Sequence, residues 1–237
     1  MEKRKGEQWS SRLGFIMAGL GMAIGTGNIW RFPRIAGSNG GGAFLICYVI
    51  ANIIWVAPLL MMEMGIGKTT RLGTIGAFRD FLGKKQSWFG AFICFVCAVI
   101  TFYYTNIFAH SMRYMVFAIQ GKFATNVDAQ GLWDTYTRHS PAENIIFLLL
   151  AIFLTMFFVY RGVKGGLELI GKIAIPVLFV FLIILTIWSI ATSENGASGL
   201  KFLFVPDFSQ LSNTNVWLNA FTQASWSAGA GWGQMLT

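Results

Sequence analysis

Six stretches of the chain are apolar enough to cross a bilayer, and polar residues gather between them. They run near Leu13 to Ile35, Ala43 to Gly67, Phe89 to Ile119, Ile145 to Tyr160, Leu167 to Ala191 and Val216 to the end. About 20 consecutive apolar residues cross the hydrocarbon core as a helix, because the backbone must find its hydrogen bonds within the segment. The pattern therefore predicts an all-α membrane protein. The fourth stretch is short, and serine, glycine and tryptophan dilute the sixth. The longest polar connection, Gly121 to Glu143, carries Asp128, Asp134, Arg138 and His139 and reads as an external loop with a short helix.

Charge orients these stretches. With alternating spans, the N-terminus and the second and fourth connections share a side that holds Lys3, Arg4, Lys5, Arg12, Lys68, Arg71, Arg79, Lys84, Lys85, Arg161, Lys164 and Lys172. The other side holds only Arg31, Arg34, Arg113, Lys122, Arg138 and Lys201. The positive-inside rule then places the N-terminus in the cytoplasm of a multi-pass protein of the cell's inner (plasma) membrane. A basic start before an apolar run also suits a signal peptide, but the run has no small-residue cleavage site and continues into Arg31-Phe32-Pro33. It is expected to be retained.

Composition narrows the class. Of 237 residues, 55% are hydrophobic and 12% charged, about half the charge of a soluble domain. The net charge of +8 would suit a nucleic-acid binder, but these basic residues punctuate apolar spans rather than form a soluble face, so no nucleic-acid partner is expected. Cys94 and Cys97 lie inside an apolar run without the βαβ setting of a redox pair and read as packing residues. His110 has no second ligand nearby and His139 is solvated, so no transition-metal site is expected.

Two glycine motifs fail on inspection. Gly65-Ile66-Gly67-Lys68-Thr69-Thr70 resembles the end of a phosphate loop, yet Met62 stands where a glycine is needed, and no strand precedes it. Gly25-Thr26-Gly27 lacks the third glycine and acidic partner of a dinucleotide fold. No Ser/His/Asp triad or paired carboxylate appears, so the chain is not expected to be an enzyme.

The first span is unusual in another way. Gly19, Gly21, Gly25 and Gly27 interrupt it, and Asn28, Arg31 and Pro33 follow closely. Close helix packing accounts for Gly21 and Gly25 but not for the polar side chains beside them. A helix broken in mid-membrane accounts for both, since its freed carbonyls can bind a cation and its freed N–H groups an anion. The sixth span repeats the pattern in Ser227-Ala228-Gly229-Ala230-Gly231-Trp232-Gly233. Two breaks separated by five spans fit an inverted five-plus-five repeat.

Trp9, Arg12-Leu13-Gly14, the run from Gly25 to Pro33, Asn39-Gly40-Gly41-Gly42-Ala43-Phe44, and Pro58-Leu59 with Glu63 together resemble the neurotransmitter:sodium symporter family, particularly its bacterial amino-acid branch. The likeness extends over essentially the whole chain. It implies the inverted-repeat symporter fold: a cytoplasmic N-terminus (1–12), the first five-helix repeat (13–191), an extracellular loop (192–215) and the first half of helix six (216–237), with helices one and six broken.

The resemblance also implies site residues. One co-transported sodium would meet the carbonyl of Ala23, the side chains of Asn28 and Ser227, and the substrate carboxylate; a second would meet carbonyls at Gly21 and Ile24. The substrate carboxylate would face the N–H groups of Thr26 and Gly27 and the hydroxyl of Tyr104. Its amino group would face carbonyls at Ala23, Trp226, Ser227 and Gly229, with Ile100, Tyr104, Trp226 and Trp232 walling the pocket. Monoamine carriers place an aspartate where this chain has Gly25, which argues for an amino acid bringing its own carboxylate. Met22 and the tryptophans at the second break suggest an apolar or aromatic one.

Arg31 resembles the external gate arginine. The N-terminal gate arginine of the family aligns near Gly6, so Arg4 or Lys5 would substitute for it. Glu63 would hydrogen-bond the loose backbone of a broken helix, or else sit at headgroup level near the end of its span. Tyr48, Gln223 and Ser227 match positions that help to hold chloride in animal members, but the deciding residue belongs to a later helix, and chloride dependence stays open.

Thr237 falls four residues after Gly233, within what would be a helix still crossing the membrane. Two readings follow. The chain is the N-terminal half of a sodium-coupled amino-acid symporter working by alternating access, or it is a truncated, non-transporting membrane fragment. A missing C-terminal half or a homo-oligomer would supply the remaining ligands.

Overall fold

A computed structural model of the chain describes residues 10–123 and 127–236. Lys3, Arg4, Lys5, Gly6, Trp9, Thr237 and the side chain of Thr26 lie outside the described residues. All regular structure among the described residues is helical. The helices are α1 (Arg12–Ala23), α2 (Arg31–Ser38), α3 (Gly42–Ala51), α4 (Ala57–Thr70), α5 (Gly73–Leu82), α6 (Ser87–Ile119), α7 (Ala129–Asp134), α8 (Pro141–Tyr160), α9 (Glu168–Thr192), α10 (Gly196–Phe204) and α11 (Thr214–Ala228).

Four continuous runs among the described residues are long and apolar enough to cross a membrane: Gly42–Thr70, Lys84–Ile119, Pro141–Tyr160 and Val163–Thr192. They correspond to the second through fifth stretches of the sequence. The first and sixth stretches are not continuous helices. Ser11 caps α1 by accepting from Gly14 N–H at 3.0 Å. After Ala23 the chain passes through a wide turn, Ile24–Asn28, in which Gly27 adopts φ 113°, and restarts as α2 with Pro33 in its first turn. Only glycine takes that φ without strain, and proline suits a helix start because its missing N–H is not needed there. α11 stops at Gly229 in the left-handed conformation (φ 62°), and Gly231 and Gly233 keep positive φ beyond it.

Pro58 shapes the second run. It offers no N–H to the preceding turn, and the helix widens over Asn52–Val56 to absorb the gap, with Ala57 N–H reaching back to Asn52. The segment 192–215 holds more structure than a loop: α10 and a 3-10 turn, Phe208–Ser212. α10 lies against the start of α3, where a Cβ on Gly41 (φ 52°) would overlap the carbonyl of Phe202. Gly41→Ala combines that overlap with a strained φ. It should cost about 2 kcal/mol, read as a lower unfolding midpoint in detergent.

The chain forms two compact units. Among the described residues, one contains 10–94 together with 168–236; the other contains 95–123 and 127–167. In the first, α2, α3 and α11 enclose Ala36, Phe44, Cys47, Val216 and Ala220, with Phe32 edge-on to Phe44 and Tyr48 at ring distances of 5.8 and 5.0 Å. A second cluster of Ala51, Val56, Ala224 and Ala230 continues this core toward the break after α11. Small residues dominate both, which lets the helix backbones approach closely.

In the other unit, Arg113 of α6 pairs with Glu143 of α8 at 2.7 Å and lies over the ring of Phe117. Tyr136, 1% exposed, donates to Asn144 Oδ1 at 3.3 Å, and burial pushes its phenol up, which keeps the proton in place. His110 packs edge-on against Trp133 and Tyr136, and His139 is exposed.

Candidate functional site

The two breaks meet. Asn28, at the end of the turn after α1, donates through Nδ2 to the Ala23 carbonyl at 2.7 Å and to the Ser227 carbonyl at 3.3 Å. Its Oδ1 accepts from the Ser227 hydroxyl at 2.5 Å. Three oxygens, the Ala23 carbonyl and the carbonyl and hydroxyl of Ser227, thus converge on one amide, and Ser227 lies 199 residues beyond it in the chain. Ser227 is 4% exposed, so water contributes little to this cluster.

Gln223 extends the network. It lies one turn before Ser227 on the same face of α11, is fully buried, and donates to the Ser227 hydroxyl at 2.8 Å and to Asn28 Oδ1 at 3.4 Å. Its own Oε1 accepts from Arg31 Nη1. The Arg31 guanidinium also stands 5.7 Å from the ring centroid of Trp226, which meets Trp232 edge-on at 5.3 Å. Gly27 fits here because it carries no Cβ: one would lie 3.3 Å from Trp30 Nε1 and 3.5 Å from Trp226 Nε1. Gly25, by contrast, has open space around the position of a Cβ.

Glu63 of α4 serves the second break. It is 6% exposed, and its Oε1 accepts from Gly231 N–H at 2.9 Å and Gly233 N–H at 3.3 Å. Of the two placements open to it in the sequence, contact with the loose backbone is the one observed. An apolar cavity of about 170 Å³, walled in part by Leu59, Ile66, Phe78 and Ile93, borders the carboxylate.

The structure therefore brings together Ala23, Gly27, Asn28, Arg31, Trp226, Ser227 and Trp232, with Gly229 buried at the α11 terminus and Thr26 in the same turn as Asn28. Gly21 and Ile24 do not join this cluster. The Gly21 carbonyl accepts from Ile24 N–H within the helix, and a Cβ on Gly21 would lie 3.3 Å from Ile175 of α9. Ile100 and Tyr104 belong to the other compact unit, where Tyr104 meets Tyr103 edge-on at 5.6 Å. The bridge made by Gln223 is new relative to the sequence reading, which weighed this residue only for chloride. An amide one turn from Ser227 in an apolar helix was the signal available.

Paired helix breaks joined by neutral oxygens and amides are the arrangement found in membrane proteins of the broken-helix type. The model of the sodium:neurotransmitter symporter family matches residues 6–139 and 139–237, and the chain belongs to that family. An "uncharacterized sodium-dependent transporter" of Methanocaldococcus jannaschii is 37% identical over 97% of this chain and 48% of its own length. The sodium-dependent transporter YhdH of Bacillus subtilis is 34% identical over 100% of this chain and 52% of its own length. The "sodium-dependent neutral amino acid transporter B(0)AT2" of Pongo abelii is 28% identical over 96% of this chain and 35% of its own length. The chain spans about half the length of the first two relatives and about a third of the last. It is a multi-pass membrane protein of a sodium-dependent transporter family.

Proposed function

We propose that this chain is the N-terminal half of a symporter that couples sodium entry to uptake of an amino acid, apolar or aromatic in character. The observation that carries the reading is the convergence of the Ala23 and Ser227 oxygens on the Asn28 amide. A half-turn of that amide exchanges its N–H for Oδ1. The carbonyls that now accept a hydrogen bond, the serine hydroxyl and Oδ1 then all offer oxygen to a hard cation. Neutral oxygens suit sodium in a membrane because they add no fixed countercharge to bury.

In this reading Ala23, Asn28 and Ser227 hold one sodium, and Gly21 and Ile24 contribute carbonyls to a second when their turn opens. The N–H groups of Thr26 and Gly27 take the substrate carboxylate with Tyr104, and the carbonyls of Ala23, Trp226, Ser227 and Gly229 take its amino group. Ile100, Trp226 and Trp232 wall the side-chain pocket. Arg31 guards the outer route, and Glu63 supports the second break. The N-terminus faces the cytoplasm, and residues 13–191 form the repeat that rocks against the sequence beyond 237. Gly25 supports an amino-acid substrate, as does the neutral amino acid named for the B(0)AT2 relative.

Gly25→Asp tests the substrate orientation. The open space at Gly25 accepts the side chain, and its charge would then repel the carboxylate of a free amino acid. Competition binding to the protein encoded by the complete reading frame should show affinity falling more than about tenfold. Unaltered affinity would place the substrate carboxylate elsewhere.

A further inference from the structure

α1 is a short rod with a hinge at one end and a polar clasp at the other. The hinge is the Ile24–Asn28 turn with Gly27 at φ 113°. The clasp is Glu168, the first residue of α9, 1% exposed although it carries a carboxylate. Glu168 Oε2 accepts from the Ser10 N–H at 3.0 Å, and Oε1 accepts from the Ser10 hydroxyl and, at 3.5 Å, from the Ser11 hydroxyl. Lys172, one turn along α9, reaches Oε1 at 2.6 Å.

Room for the carboxylate comes from Gly14, where any Cβ would overlap the Glu168 side chain. The rest of the contact between α1 and α9 is close and featureless. A Cβ on Gly171 would lie 3.3 Å from the Met17 backbone, and Gly21 faces Ile175. Packing of that kind lets helices slide or part at little cost in polar groups, whereas a buried, hydrogen-bonded carboxylate does not. The grip on the Ser10 end of the rod is thus concentrated in one side chain.

We infer that Glu168 is a positioning residue that fixes the Ser10 end of α1 to α9 and sets how readily that rod swings about Gly27. The inference rests on the transport reading above and adds to it a swing of α1 against α9 within the repeat, which would expose the Ala23 carbonyl and Asn28 to the cytoplasm. Glu168 touches neither sodium nor substrate there. It sets the balance between closed and open cytoplasmic ends.

Hydrogen–deuterium exchange of the protein encoded by the complete reading frame, held in lipid nanodiscs, tests this directly. Glu168→Gln keeps the shape but removes the charge that strengthens these bonds. Exchange of residues 10–14 should rise roughly tenfold or more, with exchange in α3 and α11 unchanged. Glu168→Asp, which restores the charge on a shorter arm, should recover part of the protection. Gly14→Ala, which displaces the carboxylate without altering it, should produce the same local rise and serves as the readout if Glu168→Gln does not insert.

Unchanged exchange at residues 10–14 in Glu168→Gln, or in Gly14→Ala where that is the readout, overturns the inference. So does a rise spread equally over α3 and α11, since that marks general loosening. The measurement needs neither sodium nor substrate. Failure of sodium-driven uptake with the local rise present would overturn only the transport reading, and uptake with unchanged exchange would overturn only the clasp.

Discussion

Asn28→Leu should abolish sodium-dependent substrate binding by the complete protein while leaving membrane insertion intact. Asn28 is the point on which the Ala23 carbonyl, the Ser227 carbonyl and hydroxyl, and the Gln223 amide all converge. Leucine has a similar volume but no oxygen, so in the proposed reading the cation would lose one side-chain ligand. The Ser227 hydroxyl also loses its acceptor and is free to turn away from the site. Removing groups that only orient a metal ligand costs 10- to 100-fold in affinity, so removing a direct oxygen should cost at least about 100-fold. The four continuous apolar runs are untouched, and insertion follows from those. Sodium titration of labelled substrate binding, with potassium replacing sodium as control, measures the effect. Unchanged sodium dependence would remove Asn28 from the site.

Glu63→Leu should be the most damaging substitution to the fold around the second break. Oε1 alone accepts from two N–H groups, Gly231 and Gly233, that a broken helix leaves without partners. Each buried donor left unpaired costs about 1–3 kcal/mol, so losing the carboxylate should cost roughly 2–6 kcal/mol locally. Gln at the same position keeps one carbonyl oxygen of the right reach and should retain most of the stability. The comparison is made by thermal unfolding in detergent and by protease cleavage between Ala228 and Leu236. Equal stability of Glu63→Leu and the parent would show that another group holds the break.

The legible parts of this molecule are those in which local chemistry and tertiary structure agree. Each break announces itself by its own glycines, and Gly27 and Gly229 indeed take the positive φ that their neighbours could not. Apolar runs fixed the four continuous spans to within a few residues because length in a bilayer leaves little freedom. The first stretch, whose glycines and polar neighbours predict a break in mid-membrane, resolves into α1 and α2 on either side of the Ile24–Asn28 turn.

What escaped the sequence are contacts across long separations. Gln223 and Arg31 are 192 residues apart, and Ser10 and Glu168 are 158 apart, so no local spacing links them. Glu168 enters an apolar span, a place where an acidic residue usually marks the headgroup level, and nothing local distinguishes it as a buried clasp. α10 was hidden because Gly196, Ser198 and Gly199 in its first turn are weaker helix formers than alanine and read as loop.

The central claim is that a sodium gradient drives an amino acid through this site. Its most direct test is uptake of labelled leucine, phenylalanine and tryptophan into proteoliposomes holding the protein encoded by the complete reading frame. An inward sodium gradient should drive concentrative uptake of at least one of them, and replacing sodium with potassium, or Asn28 with leucine, should collapse it. Uptake indifferent to sodium, or no uptake of any amino acid by correctly inserted protein, would contradict the account.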